Sequence, residues 1–193
     1  KTKLNEIAIL VRASFQTRLF EDRLLKIRIP YRVIGAFRFY ERLEIRDAIS
    51  YFRIVYKNYD DLAFERIFNT PKRGLGTATL QKIYTFSRDS NMTLLDASRK
   101  IVETDELTSN SRSTIKKFIE DINRWKSKIN KINHIELAKV ILEESGYTKM
   151  WLNDKSIEAL GRLENLKELI SALRDFSNMN EFLEHISLVF ENE

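Results

Sequence analysis

Glycine and proline are scarce in this chain, which has five Gly and two Pro among its 193 residues. Because these two residues supply most tight turns, such a chain has few of the short connections that a mostly β domain needs. Along most of its length, apolar residues instead recur at spacings of three and four, as they do in amphipathic helices. We therefore expect a mainly α fold built from long helices.

Helical periodicity is clear from residue 41 onward. The first of these helices is expected at 41–58, and its apolar face contains Ile45, Ile49, Phe52 and Tyr56. Further helices are expected at 60–68, 77–88, 93–102, 112–131, 135–145, 157–176 and 179–190. The two tryptophans, Trp125 and Trp151, fall at helical spacing and are expected in the core.

End signals are clearest for the helix at 135–145. Asn133 is a good N-cap, Glu136 is its capping-box partner, and Gly146 is a C-terminal stop. The polar stretch 103–113 has no such periodicity and is expected to be mostly loop.

The first 40 residues have a different pattern. A β-rich apolar run at 6–12 precedes a helical segment at 14–28, and a second strand is expected at 31–35. A strand–helix–strand order predicts a βαβ unit, but two strands do not make a stable sheet by themselves. We therefore expect the chain to begin with a fragment of a larger α/β domain, and its end without a stop signal suggests truncation.

Several classes of protein do not fit the composition. The chain has no cysteine, which excludes disulfides and thiolate chemistry and fits a reducing cytosol. Its two histidines, His134 and His185, lack the spacing of a metal site. No run of about eighteen apolar residues is present, and the opening residues lack the features of a signal peptide. We expect a cytoplasmic protein without a membrane span.

Charge is distributed unevenly along the chain, whose net charge is +5. Residues 1–100 carry 20 Lys and Arg against 11 Asp and Glu, whereas residues 101–193 carry 13 against 17. This asymmetry suggests a basic face that meets a polyanion. A solvated surface with uneven charge is the alternative.

Three of the seven glycine and proline residues lie close together in "NTPKRGLGTATLQKI", residues 69–83. A helix start exposes unpaired N–H groups and the positive end of the helix dipole, and Gly lets a ligand approach without meeting a Cβ. The sequence therefore predicts a phosphate-binding hairpin of the helix-hairpin-helix type at 72–79. Its expected members are Lys72, Arg73, Gly74, Leu75, Gly76, Thr77 and Thr79.

Within this hairpin, Lys72 and Arg73 are expected to supply counter-charge, and Leu75 is expected to pack into the core. Such a hairpin holds a nucleic-acid phosphate without reading bases. It lacks the Lys-Ser/Thr of a nucleotide P-loop, and no such motif occurs elsewhere in the chain. A tight turn between two helices, without a ligand, is the alternative.

Four motifs in order carry a family resemblance. They are "IAILVRASFQTRLFEDRLLKIRIPYRVIG", "GAFRFYERLEIRDAISYFRI", "NTPKRGLGTATLQKI", and the late pair "SGYTKM" and "GRLENLKELI". With them the chain resembles the UvrD/PcrA/Rep group of superfamily 1 DNA helicases over nearly its whole length. It departs from the family pattern at Ser14, Phe15, Ala36 and Arg46, where the family has Asn, Ala, Gly and Lys.

The resemblance implies two parts of a helicase. Residues 1–56 resemble part of the second RecA-like motor domain (2A), and residues 57–193 resemble the inserted helical 2B domain. The parent enzyme would hydrolyse ATP with Mg²⁺ and translocate 3′ to 5′, but this fragment would hold no cofactor and no catalytic residue. Its partners would be a single-strand/double-strand DNA junction, the remaining helicase domains and repair proteins.

By the same resemblance, three residues near the N-terminus lie beside the single-strand track: Arg12, Gln16 and Arg18. Arg38, Arg42 and Arg46 recur every four residues, so a helix there would present them as one stripe for phosphates. The alternative is that Glu41 and Glu44 hold these arginines in intramolecular ion pairs. Phe37, Phe39 and Tyr40 have the chemistry to stack on bases, but core packing is favoured for them.

Two rival functions stay open. One is a regulatory protein–protein module of a repair helicase, and the other is a helicase–nuclease of the RecB type. Strong salt dependence of DNA binding would favour phosphate contact over partner docking.

Overall fold

Ten α-helices make up most of the part of the chain that the structure, a computed structural model, describes: residues 2–34, 38–57 and 59–191. They are α1 Thr17–Lys26, α2 Leu43–Tyr56, α3 Asp61–Phe68, α4 Thr77–Asp89, α5 Leu94–Ile101, α6 Ser109–Lys126, α7 His134–Glu144, α8 Tyr147–Leu152, α9 Ala159–Ala172 and α10 Met179–Glu191. Short 3₁₀ turns lie at Leu4–Glu6, Ser14–Gln16, Phe39–Glu41 and Leu173–Asp175. The expected mainly α fold is confirmed.

Helix α2 is the central element of the core. It contacts α3, α6, α7, α9 and α10, and it is apolar on most of its circumference, which is the pattern of a buried helix. Trp125 and Trp151 are buried in the same core, as expected. One hydrophobic cluster runs from Phe39 to Ile186, so the core is continuous across the expected boundary after residue 56. The division into two domains stays a prediction.

Helix ends agree with their sequence signals where those signals are strong. Asn133 Oδ1 accepts a hydrogen bond from Glu136 N at 2.8 Å, and Gly146 takes a left-handed φ of 79°. Helix α6 begins earlier than expected because Thr108 caps it by accepting from Ser111 N at 3.3 Å. The six-residue helix α8 was not predicted, since fewer than two turns give no resolvable periodicity.

The N-terminal strands expected at 6–12 and 31–35 are not formed in the described residues, where the helix between them is α1. Residues 4–6 form a 3₁₀ turn, and residues 7–11 and 31–34 have no regular secondary structure. Residue 35 lies outside the described part. A strand needs a neighbour to satisfy its backbone groups, and no such neighbour is present within the described ranges.

Two further classes of feature are absent from the described residues. None of their helices is long and apolar enough to cross a membrane. No group of three or more His, Asp or Glu side chains there is arranged to hold a metal ion.

Candidate nucleic-acid interface

The hairpin between α3 and α4 is built around two glycines and one buried leucine. Gly74 has a φ of +75°, which a residue with a Cβ adopts only with strain. Leu75 is 2% exposed and fixes the loop to the core. Gly76 is the N-cap of α4 in an extended conformation, so the helix begins at Thr77 as the sequence predicts.

The backbone N–H groups of this hairpin divide into an inner and an outer set. Arg73 N and Leu75 N both donate to Asn69 Oδ1, at 2.7 and 3.3 Å. The N–H groups of Thr79 and Leu80 both donate to the Gly76 carbonyl. The outer set, which has no hydrogen-bond acceptor within the described part of the chain, comprises the amides of Gly74, Gly76, Thr77 and Ala78; the amide of Lys72, which precedes the glycines, likewise has no acceptor there.

This outer set faces open space. Gly74, Gly76, Thr77 and Ala78 are all exposed. A Cβ built on Gly74 or Gly76 would meet no heavy atom within 4 Å. Unpaired N–H groups at the start of a helix, at the positive end of its dipole, form an anion-binding arrangement. The geometry therefore permits a phosphate to approach the main chain at this point.

The two cations of the hairpin have different positions. Lys72 is exposed, whereas Arg73 turns inward and donates from Nη1 to the carbonyl oxygens of Ile67 at 2.7 Å and Phe68 at 3.2 Å. These are the last carbonyls of α3, which lack partners within the helix. The side chain of Arg73 therefore binds the protein itself, and Lys72 is the cation left to meet a ligand.

Arg18, expected beside the single-strand track, is a buried residue instead. It is 4% exposed and pairs with Glu168 at 2.6 Å, Asp22 at 3.0 Å and Asp175 at 3.1 Å. Burial by itself would lower the pKa of Arg18, but the hydrogen bonds to Glu168 and Asp175 outweigh it and raise that pKa above its ordinary value. The Arg18 guanidinium is thus occupied by three carboxylates of the chain itself, and its contact with DNA stays a prediction.

The other two residues of that group lie at the surface. Arg12 and Gln16 are exposed. Gln16 Oε1 accepts from the backbone N–H groups of Arg12 and Ala13, both at 3.1 Å, and so closes the 3₁₀ turn before α1.

The arginines at positions 38, 42 and 46 do not form one stripe, because α2 begins only at Leu43. Arg46 is exposed on α2. Arg38 lies 3.9 Å from Glu41, as the ion-pair alternative expects. Arg42 is 6% exposed and donates from Nη1 to Asn165 Oδ1 at 2.9 Å.

The buried position of Arg42 has an electrostatic consequence. Desolvation lowers the pKa of Arg42, against the opposing charges of Glu21 and Glu44. Asn165 on α9 also binds α2, because its Nδ2 donates to Glu44 Oε1 at 2.6 Å. Arg42 and its neighbours therefore join α2 to α9.

The aromatic residues of this region are core residues where the structure describes them. Phe39 is 0% exposed and Tyr40 is 1% exposed, so neither is available to stack on a base. Phe37 lies outside the described residues.

Sequence reasoning missed Asn69, which binds two amides of the hairpin. The available signal was an Asn four residues before Arg73 and five before Gly74, a residue type that commonly bonds nearby backbone N–H groups in turns.

Comparison with known proteins finds relatives that are named as DNA helicases. The chain is 43% identical over 187 residues to "DNA helicase II" of Rickettsia typhi, an alignment that covers 97% of this chain and 28% of that protein. It is 38% identical over 195 residues to "DNA helicase II" of Escherichia coli K12, covering 96% and 27%. It is 35% identical over 190 residues to "ATP-dependent DNA helicase PcrA" of Staphylococcus epidermidis, covering 97% and 25%.

The chain thus spans less than a third of the length of these relatives. Residues 1–193 match the family described as the UvrD-like helicase C-terminal domain, and the chain belongs to that family.

Proposed function

We propose that this chain is the DNA-gripping part of an ATP-dependent helicase of the UvrD type, and that it holds duplex DNA at the hairpin Lys72–Thr79. The observation that carries the proposal is the outer set of amides at Gly74, Gly76, Thr77 and Ala78, which lack acceptors within the described part of the chain and face open space. Membership of a helicase family over the whole chain supplies the ligand class.

The hairpin binds phosphate through main-chain donors and one exposed cation, Lys72. The amides at the start of α4 bind a phosphate with help from the helix dipole. Lys72 supplies the counter-charge, and the hydroxyls of Thr77 and Thr79 add donors at the same end of the helix. None of these groups reads a base, which suits a motor that has to pass every sequence.

The N-terminal segment completes a motor domain in the longer parent protein. We infer that residues 1–56 belong to the second RecA-like domain and residues 57–193 to the 2B domain. The exposed apolar side chains of the segment, with Leu10 95% and Ile34 88% exposed, support this inference because strands at 6–12 and 31–35 would bury them in a sheet. Arg12, Gln16 and Arg46, all exposed, then lie on the single-strand side.

ATP and Mg²⁺ act outside this chain. The hairpin lacks the Lys-Ser/Thr of a nucleotide P-loop, so its residues do not fit a nucleotide. Hydrolysis in the remaining parts of the parent drives translocation, and movement of the 2B part relative to the motors regulates unwinding.

The test measures the affinity of the 193-residue chain for two short duplexes of unrelated sequence by fluorescence anisotropy. Between about 50 and 200 mM salt, we expect equal affinities and a log–log slope of about −3 to −5, for four to six phosphates. Lys72→Gln should reduce the magnitude of that slope by about 0.9. Lys167→Gln, which removes an exposed cation on α9, is the matched control and should leave the slope unchanged.

Undetectable or salt-insensitive binding would contradict the proposal and favour the partner-docking module. A preference for one duplex sequence would also contradict a grip on phosphates alone.

A further inference from the structure

The guanidinium of Arg73 lies where the end of α3 meets the hairpin. Its Nη1 donates to three carbonyl oxygens, those of Ile67 at 2.7 Å, Phe68 at 3.2 Å and Pro71 at 3.3 Å. A cation at this position also interacts favourably with the negative end of the helix dipole. Arg73 therefore caps α3 from a position six residues beyond the first of these carbonyls.

The same guanidinium binds two other helices. Its Nη2 donates to the hydroxyl of Tyr51 on α2, and that hydroxyl donates to the Thr70 carbonyl at 2.6 Å. Its Cζ lies 4.3 Å from the ring centroid of Phe118 on α6, within the range of a cation–π contact. One side chain thus connects the hairpin to α2, α3 and α6.

Asn69 holds the opposite side of the hairpin. Its Oδ1 binds the N–H groups of Arg73 and Leu75, which keeps those two amides inside. With the amides at 73 and 75 turned inward and φ at Gly74 positive, the N–H groups of Gly74 and Gly76 are left on the outer side. The internal contacts of residues 69 and 73 therefore decide which amides the hairpin presents.

We propose that Arg73 is a positioning residue, an internal cation that holds the hairpin in the shape that presents the outer amides, and that it does not contact DNA. The DNA part of this inference rests on the proposed function. Arginine is required because its planar fork carries five donors in fixed directions, whereas a lysine ammonium offers three donors on a flexible stem. Lysine keeps the charge but cannot bind the carbonyl oxygens, the Tyr51 hydroxyl and the Phe118 ring at the same time.

Two variants of the 193-residue chain separate positioning from contact. Arg73→Lys keeps the positive charge, so a direct contact in which Arg73 acts on a phosphate only as a point charge predicts nearly unchanged affinity for duplex DNA. Positioning predicts an affinity about tenfold weaker, equivalent to one lost hydrogen bond, with an unchanged salt slope. Tyr51→Phe removes one partner of Arg73 at a residue that is 0% exposed and does not reach DNA; it should weaken affinity about threefold, again with an unchanged slope.

The matched control is Arg112→Lys. Arg112 also donates from Nη1 to a loop carbonyl, that of Thr104 at 3.0 Å, but it lies away from the hairpin in sequence and anchors a different loop. Its substitution should leave DNA affinity unchanged.

A second measurement needs no DNA. Amide hydrogen exchange at Arg73 and Leu75 should accelerate about tenfold or more in Arg73→Lys, because loosening of the loop frees the amides that Asn69 holds. Should Arg73→Lys not fold, Tyr51→Phe carries both measurements with the same expected directions.

Two results would overturn the inference. One is unchanged exchange in both variants. The other is a charge-removing variant, Arg73→Gln, that lowers the salt slope by about 0.9 as Lys72→Gln does, which would mean direct phosphate contact. If the wild-type chain does not bind DNA, the proposed function fails, while the exchange measurement still decides whether Arg73 positions the hairpin.

Discussion

Arg18 Nε donates to Glu168 Oε1 over 2.6 Å, and this bond joins α1 to α9 across 150 positions of sequence. Because the Arg18 side chain is 4% exposed, removing it leaves Glu168 and Asp22, which are 21% and 14% exposed, without their buried partner. Breaking a fully buried pair costs about 3–5 kcal/mol, and the partial exposure of these carboxylates reduces the cost to about 2 kcal/mol. We predict that Arg18→Ala lowers the free energy of unfolding by about that amount, measured by urea denaturation.

Lys167→Ala is the control for Arg18→Ala. The Lys167–Glu164 pair is exposed, with side chains 73% and 49% accessible, so its loss should change stability by less than about 0.5 kcal/mol. The contrary outcome is that Arg18→Ala changes the free energy of unfolding as little as Lys167→Ala does and weakens binding to single-stranded DNA. In that case Arg18 would be the DNA contact that the family resemblance implies.

A serine at position 76 should change stability and DNA affinity in opposite directions. Gly76 already has N-cap geometry, with φ −81° and ψ 173°, and a serine hydroxyl there would accept from the free amides of α4. We predict that Gly76→Ser raises stability by about 0.3 kcal/mol and weakens duplex binding about tenfold, since the hydroxyl occupies the phosphate position. Urea denaturation and anisotropy measure the two effects.

The control for Gly76→Ser is Gly161→Ser on α9. A Cβ at Gly161 also meets no heavy atom within 4 Å, and this exposed glycine is distant in sequence from the hairpin, so DNA affinity should not change. Stronger binding by Gly76→Ser would contradict an amide site, because a capped helix start has fewer donors to offer.

Glu144 makes the stability of the α6–α7 contact depend on pH. It accepts from Arg124 Nη2 at 2.8 Å, Trp125 Nε1 at 2.7 Å and Lys128 Nζ at 3.3 Å. Partial burial opposes ionisation, but these hydrogen bonds outweigh it and lower the pKa of Glu144 below its ordinary value of 4.5. A carboxyl with a lowered folded-state pKa stabilises the fold above its unfolded pKa and loses that contribution as pH falls.

We therefore predict that Glu144→Gln is less stable than wild type at pH 7, by about 1 kcal/mol. The difference should shrink as pH falls below 4.5, because the wild-type carboxyl is protonated first in the unfolded state and, at still lower pH, in the folded state. Denaturant unfolding across this range measures it, with Glu143→Gln, an exposed neighbour, as the control. A difference that does not depend on pH would contradict the ionised acceptor.

The exposed apolar side chains near the N-terminus should promote association of the isolated chain. Leu10 is 95% exposed and Ile34 is 88% exposed, and large exposed apolar patches favour contact between molecules. We predict that the double substitution of Leu10→Ser and Ile34→Ser reduces self-association in sedimentation experiments and changes stability by less than about 0.5 kcal/mol. Ile157→Ser, at a residue 96% exposed in another region, should leave association unchanged; equal effects would place the contact elsewhere.

Local signals predicted much of the fold. The three-and-four spacing of apolar residues located most helices, and Asn133 and Gly146 marked the ends of α7 because capping depends on neighbouring residues. The start of α4 at Thr77 was also predictable from neighbouring residues, because the helix begins directly after Gly76. The six-residue helix α8 is too short for such a signal.

The orientation of the arginines was not predictable from spacing. Arg18 and Arg42 have partners 150 and 123 positions away, at Glu168 and Asn165, and periodicity along the chain carries no information about such pairs. Arg73 was expected to supply counter-charge to a ligand, and its bonds to the Ile67 and Phe68 carbonyls were likewise not visible in the spacing. The two predicted N-terminal strands do not form for another reason. A strand is stable only beside a neighbouring strand, and the described residues contain none.

The most direct test of the phosphate grip is a titration of the ¹⁵N-labelled chain with a short duplex, following the amide resonances of residues 69–80 by NMR. The account predicts that Gly74, Gly76, Thr77 and Ala78 shift together along one saturable isotherm, while the amides of Arg73 and Leu75, held by Asn69, move little. If the chain binds duplex and those four resonances stay in place, DNA is held somewhere else and the central claim is wrong.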